Sequence, residues 1–494
     1  MEQETSKKPF KRIIITLVIL LVAAAVIIGA WRITTKKTTP IEDPTAVYNT
    51  AISLIDNNST MYYLVNSTKS FSIQYANIEE KLCQYITVEN PETDDMRVYI
   101  DESLTIGSHY IQSINTFYDN MEYLTIQGVD FKSPTTAEEY TKKYSPYVLL
   151  DAALYGNITG FTNDEGAEIT FTDASAVESW ASLDGMEFIS ASGTAYLDSN
   201  GNLTKTKYDL EYYVQTYYFH VTYDVVALQT EAPSITEPDA SVYQEINLID
   251  APLMIEKTCG YLSATNYVYA DYDDLISCQA FGDERIQIIA LEMNAVQDWK
   301  ANIETTLATS NTSKSGVGNA TVTVDIYEDG VYTQAIDGKN TITSSDYDQM
   351  TIENHCQNIM IGTIILPQYI SSVKITKDEE FDYTFLEFTA TEAFAELLAA
   401  EACTTLYQSP DVLNEMAESY QTNRITCYMT LDSTTGFPYA SGFYYSGTHT
   451  ISGIPYELLF TADQEYDYVS SYIDTSDPDK TEETEDPDEQ EVTE

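Results

Sequence analysis

Tyr208 to Val225, YDLEYYVQTYYFHVTYDV, is the stretch whose period decides the fold class. Tyr208, Leu210, Tyr212 and Val214 alternate with Asp209, Glu211, Tyr213 and Gln215; after a short reversal Phe219, Val221, Tyr223 and Val225 alternate with His220, Thr222 and Asp224. A period of two is that of a strand with one packed and one solvated face, so the pair predicts an antiparallel hairpin. Ile454, Tyr456, Leu458 and Phe460, reached from Phe443 and Tyr445 through a longer Gly-containing loop, repeat the design. Val322, Val324 and Ile326 form another one-sided strand, and Glu328-Asp329-Gly330 after it is a hairpin signal because Gly supplies positive φ.

Elsewhere the period becomes helical. Asp173 can cap a helix carrying Val177 and Trp180, and Thr391 opens one whose Phe394, Leu397 and Leu398 share a face. Thr136-Ala137-Glu138-Glu139 is a capping-box pattern, and Val296, Trp299, Ile303 and Leu307 make an apolar stripe at helical spacing. Together these patterns predict an α+β fold: a curved, open-barrel-like antiparallel sheet with helices packed on it.

The sequence also answers itself. Val47-Tyr48-Asn49-Thr50-Ala51-Ile52-Ser53-Leu54-Ile55-Asp56 returns as Val242-Tyr243-Gln244-Glu245-Ile246-Asn247-Leu248-Ile249-Asp250; Phe171-Thr172-Asp173-Ala174 as Phe388-Thr389-Ala390-Thr391; and Leu197-Asp198-Ser199-Asn200-Gly201 as Leu431-Asp432-Ser433-Thr434-Thr435-Gly436. Three matches in one order, at growing offsets, predict two tandem homologous domains of which the second has gained insertions. The second should differ mainly between Phe388 and Leu431, with an extra helix around Val412 to Met416. Residues 229–240 are polar and contain two prolines, which reads as an exposed linker between separately packed cores.

Length and charge frame this reading. At 494 residues the chain exceeds what one core usually organises. With 24 Lys and Arg against 78 Asp and Glu, a formal charge of −54, its surface repels polyphosphates and excludes nucleic acid as a partner. Ile13 to Ala30 is an uncharged run of 18 residues, about 27 Å as a helix, with basic residues on both sides. It predicts a single transmembrane anchor; a cleaved signal peptide, with Ile13 to Val22 as its apolar region and Ala23 and Ala25 as the small residues before the cut, is the rival reading. The expected organisation is a cytoplasmic tail (1–12), an anchor (13–30), a stalk (31–44), extracytoplasmic repeat one (45–228), the linker (229–240), repeat two (241–472) and an acidic, disordered tail (473–494). The expected location is the plasma membrane, crossed once, with the large C-terminal part outside.

The hairpins YLDSNGNLTKTKYDLEYY and MTLDSTTGFPYASGFYY, in an exported protein with helix-associated open barrels, resemble the lipoprotein-carrier superfamily (LolA/LppX-like) and related envelope proteins of Gram-positive bacteria. The likeness covers the last third of each unit and rests on strand and turn words, so it transfers no site residue. It implies a concave apolar face able to hold a lipid or a lipid-anchored segment.

Catalytic signatures are missing. There is no G-x-S-x-G, H-E-x-x-H, P-loop or S-x-x-K, and only four histidines occur: His109, His220, His355 and His449. His220 falls on the polar face of its strand, and His355-Cys356 are neighbours that a strand would point apart. Asp198 to Asn202 faintly resembles a calcium loop but lacks the later Glu, and a hairpin turn explains it. The 40 tyrosines mostly fall in alternating strands, where packing accounts for them. Cys259 and Cys278 are the closest cysteine pair and the candidate disulfide; the lack of C-x-x-C argues against zinc. The sequence therefore points to a non-enzymatic, membrane-tethered binding or envelope-organising protein, with no cofactor or metal and with the membrane and a lipid or lipoprotein as partners. An envelope hydrolase using paired carboxylates and a passive surface scaffold are the alternatives.

Overall fold

The structure, a computed structural model, describes residues 38–56, 60–73, 76–91, 93, 95–144, 158–163, 166–172, 186–228, 232–265, 267–280, 286–298, 303–313, 320–328, 331–336, 339–344, 364–378, 381–406 and 410–468. The first part forms β1 (Thr39–Pro40), β2 (Thr60–Ile73), β3 (Ala76–Glu89), β4 (Arg97–Ile106), β5 (His109–Tyr118), β6 (Met121–Ile126), β7 (Val129–Pro134), β8 (Ile158–Asn163), β9 (Gly166–Thr172), β10 (Met186–Asp198), β11 (Leu203–Val214), β12 (Tyr217–Ala227) and β13 (Gln244–Glu245). The second forms β14 (Tyr267–Ala280), β15 (Ile286–Asp298), β16 (Ile303–Ser313), β17 (Ala320–Glu328), β18 (Val331–Ile336), β19 (Lys339–Ser344), β20 (Ile370–Asp378), β21 (Tyr383–Ala390), β22 (Gln421–Asp432), β23 (Pro438–Ile451) and β24 (Ile454–Tyr468).

Strand order shows one plan used twice. The first sheet runs β1-β8-β9-β10-β11-β12-β2-β3-β4-β5-β6-β7-β13, and the second, from its other edge, β20-β21-β22-β23-β24-β14-β15-β16-β17-β18-β19. Without the two-residue edge strands β1 and β13, each strand of one sheet has a counterpart in the other. The helices Pro44–Asp56 and Ala251–Ala264 each begin 16 residues before the strand that follows, β2 or β14. Leu197-Asp198 and Leu431-Asp432 end the corresponding strands β10 and β22, and Asp198 and Asp432 pair with the first residues of β9 and β21. Each aspartate then turns the chain alike: Asp198 Oδ1 accepts from the Asn200 and Asn202 N–H groups, Asp432 Oδ1 from those of Thr434 and Thr435. The first sequence match is mispaired, however. Val47 to Asp56 is helical, whereas Val242 to Asp250 leads up to the helix that is its counterpart.

Local signals were realised where short-range geometry sufficed. β11 and β12 pair from Val214 opposite Tyr217, across a two-residue turn with Gln215 at φ 54°. Glu139 N–H donates to Thr136 Oγ1 and the Thr136 N–H to Glu139 Oε2, which is the reciprocal capping box at the start of the helix Ala137–Tyr144. The helix Glu392–Leu406 follows Thr391, with Phe394 and Leu398 buried but Leu397 46% exposed. The inserted helix is Pro410–Ser419. β23 and β24 run on to a two-residue turn at Ser452-Gly453, with φ of 52° and 78°, instead of a long loop.

Several expectations are corrected. The chain is mostly β, not a balanced α+β fold, because long hairpins continue through segments read as helical. Val296, Ile303 and Leu307 lie on β15 and β16, where Met293 sits opposite Leu307. Antiparallel pairing thus overrides a chance helical spacing. No helix among the described residues is long and apolar enough to cross a membrane. The expected single-pass location is accordingly withdrawn; Ile13 to Ala30 lies outside the described residues, as do Asp173, Val177, Trp180, Trp299, His355, Cys356 and the acidic tail.

The cores are not separate either. One buried cluster runs from Phe71, Ile78 and Ile106 on the first sheet through Ile255 and Tyr261 to Phe437, in the turn before β23, and to Phe443 and Phe460 on the second sheet. Its bridge is the helix Ala251–Ala264, which enters the first sheet at Gly260: a Cβ there would stand 2.9 Å from Ile106 Cβ. The Tyr261 ring meets Phe71 at 5.9 Å and Phe437 at 5.4 Å between centroids. Two smaller clusters lie under the helices Pro44–Asp56 and Ala137–Tyr144. The stretch read as an exposed linker crosses the opposite face of the first sheet as a strap. Ile235 is buried and its N–H donates to Glu89 Oε1, Lys132 Nζ donates to the Ala240 carbonyl, and β13 joins β7 in parallel.

Candidate functional site

Along β2, β3 and β4 the residues facing the helices are the odd positions of β2 and the even positions of β3 and β4, set by the pairs Lys69–Glu80 and Gln84–Glu102. Near the sheet's two ends this parity is apolar, with Phe71 and Ile73 at one and Val65, Ile86 and Val98 at the other. Between them it carries Ser67, Lys69, Glu80, Gln84 and Glu102, five polar residues at core-facing positions. These positions are next to one another only once the register is known, although each breaks the alternation of its own strand.

A cavity of about 310 Å³ lies over this band. Its apolar walls include Leu82, Leu104, Val221, Tyr223 and Leu253, and three lysines reach it: Lys69 from β2, Lys143 from the helix Ala137–Tyr144 and Lys257 from the helix Ala251–Ala264. Lys257 and Tyr261, one helical turn apart, both aim at Glu80. Lys257 Nζ stands 3.0 Å from Glu80 Oε2, Tyr261 OH donates to Oε1 at 2.7 Å, and Lys69 Nζ is 3.5 Å from Oε1. Burial alone would raise the Glu80 carboxyl, but Lys257, Lys69 and Tyr261 outweigh it and hold it down at about 2. Burial likewise works against charge on Lys257, yet Tyr261 and Glu80 raise its pKa above the ordinary lysine value. Lys69 is left short: burial, helped by repulsion from Lys257, lowers its pKa against the pull of Glu80. The Phe71 and Phe219 rings, 5.0 and 5.2 Å from its ammonium, add a weaker attraction.

A second polar group closes one end. Gln84 Nε2 donates to Glu102 Oε2 at 2.5 Å and Ser113 Oγ to Oε1 at 3.3 Å. Asn115 Nδ2 donates to Glu122 Oε1, Tyr140 OH donates to Asn115 Oδ1, and Lys143 pairs with both Glu122 and Asp250. Lys143 so ties the helix Ala137–Tyr144 to the residue preceding the helix Ala251–Ala264.

This arrangement is suited to binding. A carboxyl held ionised at about 2 cannot donate a proton near neutrality, and among the described residues no group of three His, Cys, Asp or Glu side chains could hold a metal ion. His220 is on the outer face with Asp209 at 2.9 Å, His109 joins Glu256 at 2.8 Å, and burial pushes the His449 pKa down to about 4 beside the Tyr456 ring. Asp198 to Asn202 is a hairpin turn. The expected bridge is not formed: Cys259 is a free thiol that burial pushes up to about 12. It lies inside the helix Ala251–Ala264, whereas Cys278 is eleven residues along β14, about 36 Å of strand from Tyr267 at the near end. A disulfide needs Cα atoms within about 7 Å.

No protein-family model matches the chain, and no curated protein does. Among solved structures, LprF from Mycobacterium bovis aligns over 98% of its own length and 41% of this chain, at 14% identity and a TM-score of 0.28. The ywiB protein from Bacillus subtilis aligns over 95% of its length and 35% of this chain, at 10% identity and 0.13. OccK2 (OpdF) from Pseudomonas aeruginosa aligns over 98% of its length and 83% of this chain, at 6% identity and 0.11. Likenesses at these scores carry no functional argument, and the functional reading rests on this chain's own residues.

Proposed function

We propose that the chain is a binding protein that holds an amphipathic ligand, an apolar body with one anionic head, in the cavity beneath the helix Ala251–Ala264. The observation that carries this reading is the convergence of Lys69, Lys143 and Lys257 on an apolar-walled cavity in a chain of net charge −54. An anionic head beside Lys69 offsets the repulsion from Lys257 and restores charge to an ammonium that burial disfavours. The volume is at the low end of small-ligand sites, about 300–1,000 Å³, and fits a single-chain amphiphile better than a multi-acyl lipid. The carrier-type resemblance of the terminal hairpins points to the same class of ligand. Residues 45–228 and 241–472 are proposed as the two products of a duplication, supported by their shared strand order and paired aspartate turns.

The test is calorimetric titration of the purified chain with dodecanoate, decyl phosphate and decanol, after delipidation and mass spectrometry of whatever copurifies. One of the two anions should bind, decanol should bind more weakly, and Lys69→Met should weaken the anion by about tenfold or more. Equal binding of decanol, or an unaffected Lys69→Met, removes the anionic-head reading; no binding by any of the three removes the amphiphile.

A further inference from the structure

The face of the first sheet turned away from the helices carries a ladder that alternates two residue types across five strands. Tyr62 on β2 is opposite Thr87 on β3, Thr87 opposite Tyr99 on β4, Tyr99 opposite Thr116 on β5, and Thr116 opposite Tyr123 on β6. Tyrosines therefore recur on every second strand, about 9.6 Å apart. In the neighbouring row Tyr85 is opposite Asp101, and Asp101 opposite Ile114. The strap forms a wall above these rows, with the Tyr243 ring edge-on to Tyr123 at 5.0 Å. Between strap and sheet lies a groove of about 690 Å³, more than twice the cavity on the other face.

Tyr123 is packed under the strap, but Tyr62, Tyr85 and Tyr99 line the groove on the face turned away from the main core, whose packing does not require them. Tyr85 is 42% exposed. Thr87 is fully buried in the floor of the groove, and its hydroxyl has no hydrogen-bond partner among the described residues. A buried unpaired hydroxyl is destabilising unless something pairs with it. The charged lining is one carboxylate, Asp101, with no Lys, Arg or His. In a chain this acidic, such a groove repels anions.

We infer that the groove between the tyrosine–threonine ladder and the strap is a binding site for a neutral oligosaccharide. Sugar rings have apolar faces that stack on aromatic side chains and hydroxyl rims that both donate and accept hydrogen bonds. Tyr62 and Tyr99, which both line the groove on strands about 9.6 Å apart, can stack on alternate rings of an extended glycan, while threonine hydroxyls and the Asp101 carboxylate lie between to receive the rims. Strand addition by a peptide is closed off here, because the ladder strands β2 to β6 are paired with neighbours on both sides. This site and the amphiphile cavity lie on opposite faces of the sheet and stand or fall separately.

The experiment is calorimetric titration of the full chain with cellohexaose, chitohexaose, xylohexaose and mannohexaose at millimolar concentration, with a proline-rich decapeptide as the competing chemistry. At least one hexasaccharide should bind, and Tyr85→Ala should weaken it by about tenfold or more, the loss for removing one aromatic anchor. Tyr85→Phe should keep most of the affinity, since stacking needs the ring and not the hydroxyl. Near-UV circular dichroism checks that each variant is folded, and saturation-transfer NMR on the wild-type chain gives a readout that needs no variant. The inference is overturned if none of the four sugars binds, if Tyr85→Ala and Tyr99→Ala both leave binding unchanged, or if only the peptide binds.

Discussion

Glu80→Gln is the most demanding test of how the shared core is held. Glu80 accepts from Tyr261 and pairs with Lys257 and Lys69, all beneath the helix that joins the two sheets. Its carboxyl is held at about 2 against an ordinary value of 4.5, and that gap corresponds to about 3 kcal/mol of folded-state stabilisation. The amide keeps the shape and one acceptor but leaves two ammonium groups without their counter-charge, a loss of about 3–5 kcal/mol when one partner of a buried pair is removed. For a cooperative unit of 150–250 residues this lowers Tm by about 6–20 °C at pH 7. The sign with pH follows from the depressed carboxyl: the contribution is complete above the unfolded value and disappears as pH falls from about 4.5 toward 2. Thermal melts of both proteins at pH 7, 5, 4 and 3 should therefore show a constant gap down to pH 5 that narrows below it. A gap smaller than about 1 kcal/mol at pH 7, or one that does not narrow in acid, would refute the reasoning. Lys257→Met added to Glu80→Gln should recover part of the loss by removing an uncompensated cation.

Gly260→Ala should destabilise by about 1–3 kcal/mol despite the better helix propensity of Ala, because the new Cβ meets Ile106; a higher Tm would contradict the close approach. Tyr217→Phe removes a 2.6 Å bond to Asp432 that joins the two sheets, and urea titration should show a loss of about 1–2 kcal/mol. Thr136→Ala breaks the capping box and should cost about 1 kcal/mol, whereas Thr136→Ser should be nearly neutral by the same titration. A fragment ending at Leu228 lacks the helix over Phe71 and Ile106 and should bind the dye ANS; one extended to Thr265 should bind much less of it. Equal dye binding by both fragments would mean that the first sheet does not need that helix.

What the sequence determined lies within a few residues of each signal. The alternation in Tyr208 to Val225 set a hairpin and its packed face, Thr136 with Glu139 set a helix start, and Asp198 and Asp432 set matching turns, because strand period, capping and Asx geometry are satisfied locally. Val296 to Leu307 shows the limit of such reading: four apolar residues at helical spacing belong to two paired strands, and the partner that settles the choice lies across the sheet. The apolar run near the N-terminus led the reading to a membrane topology that the described fold does not carry. Only the tertiary structure decided which residues face one another. Lys69 and Glu80 look like ordinary strand polars until the β2–β3 register sets them side by side and a helix from the second half covers them. The same holds for the tyrosines, which alternation alone assigned to packing; register aligned them across strands, and the strap placed a groove above them. Register and coverage are long-range terms, fixed by loop closure and by which apolar face each helix can reach, and a period measured along the chain contains neither.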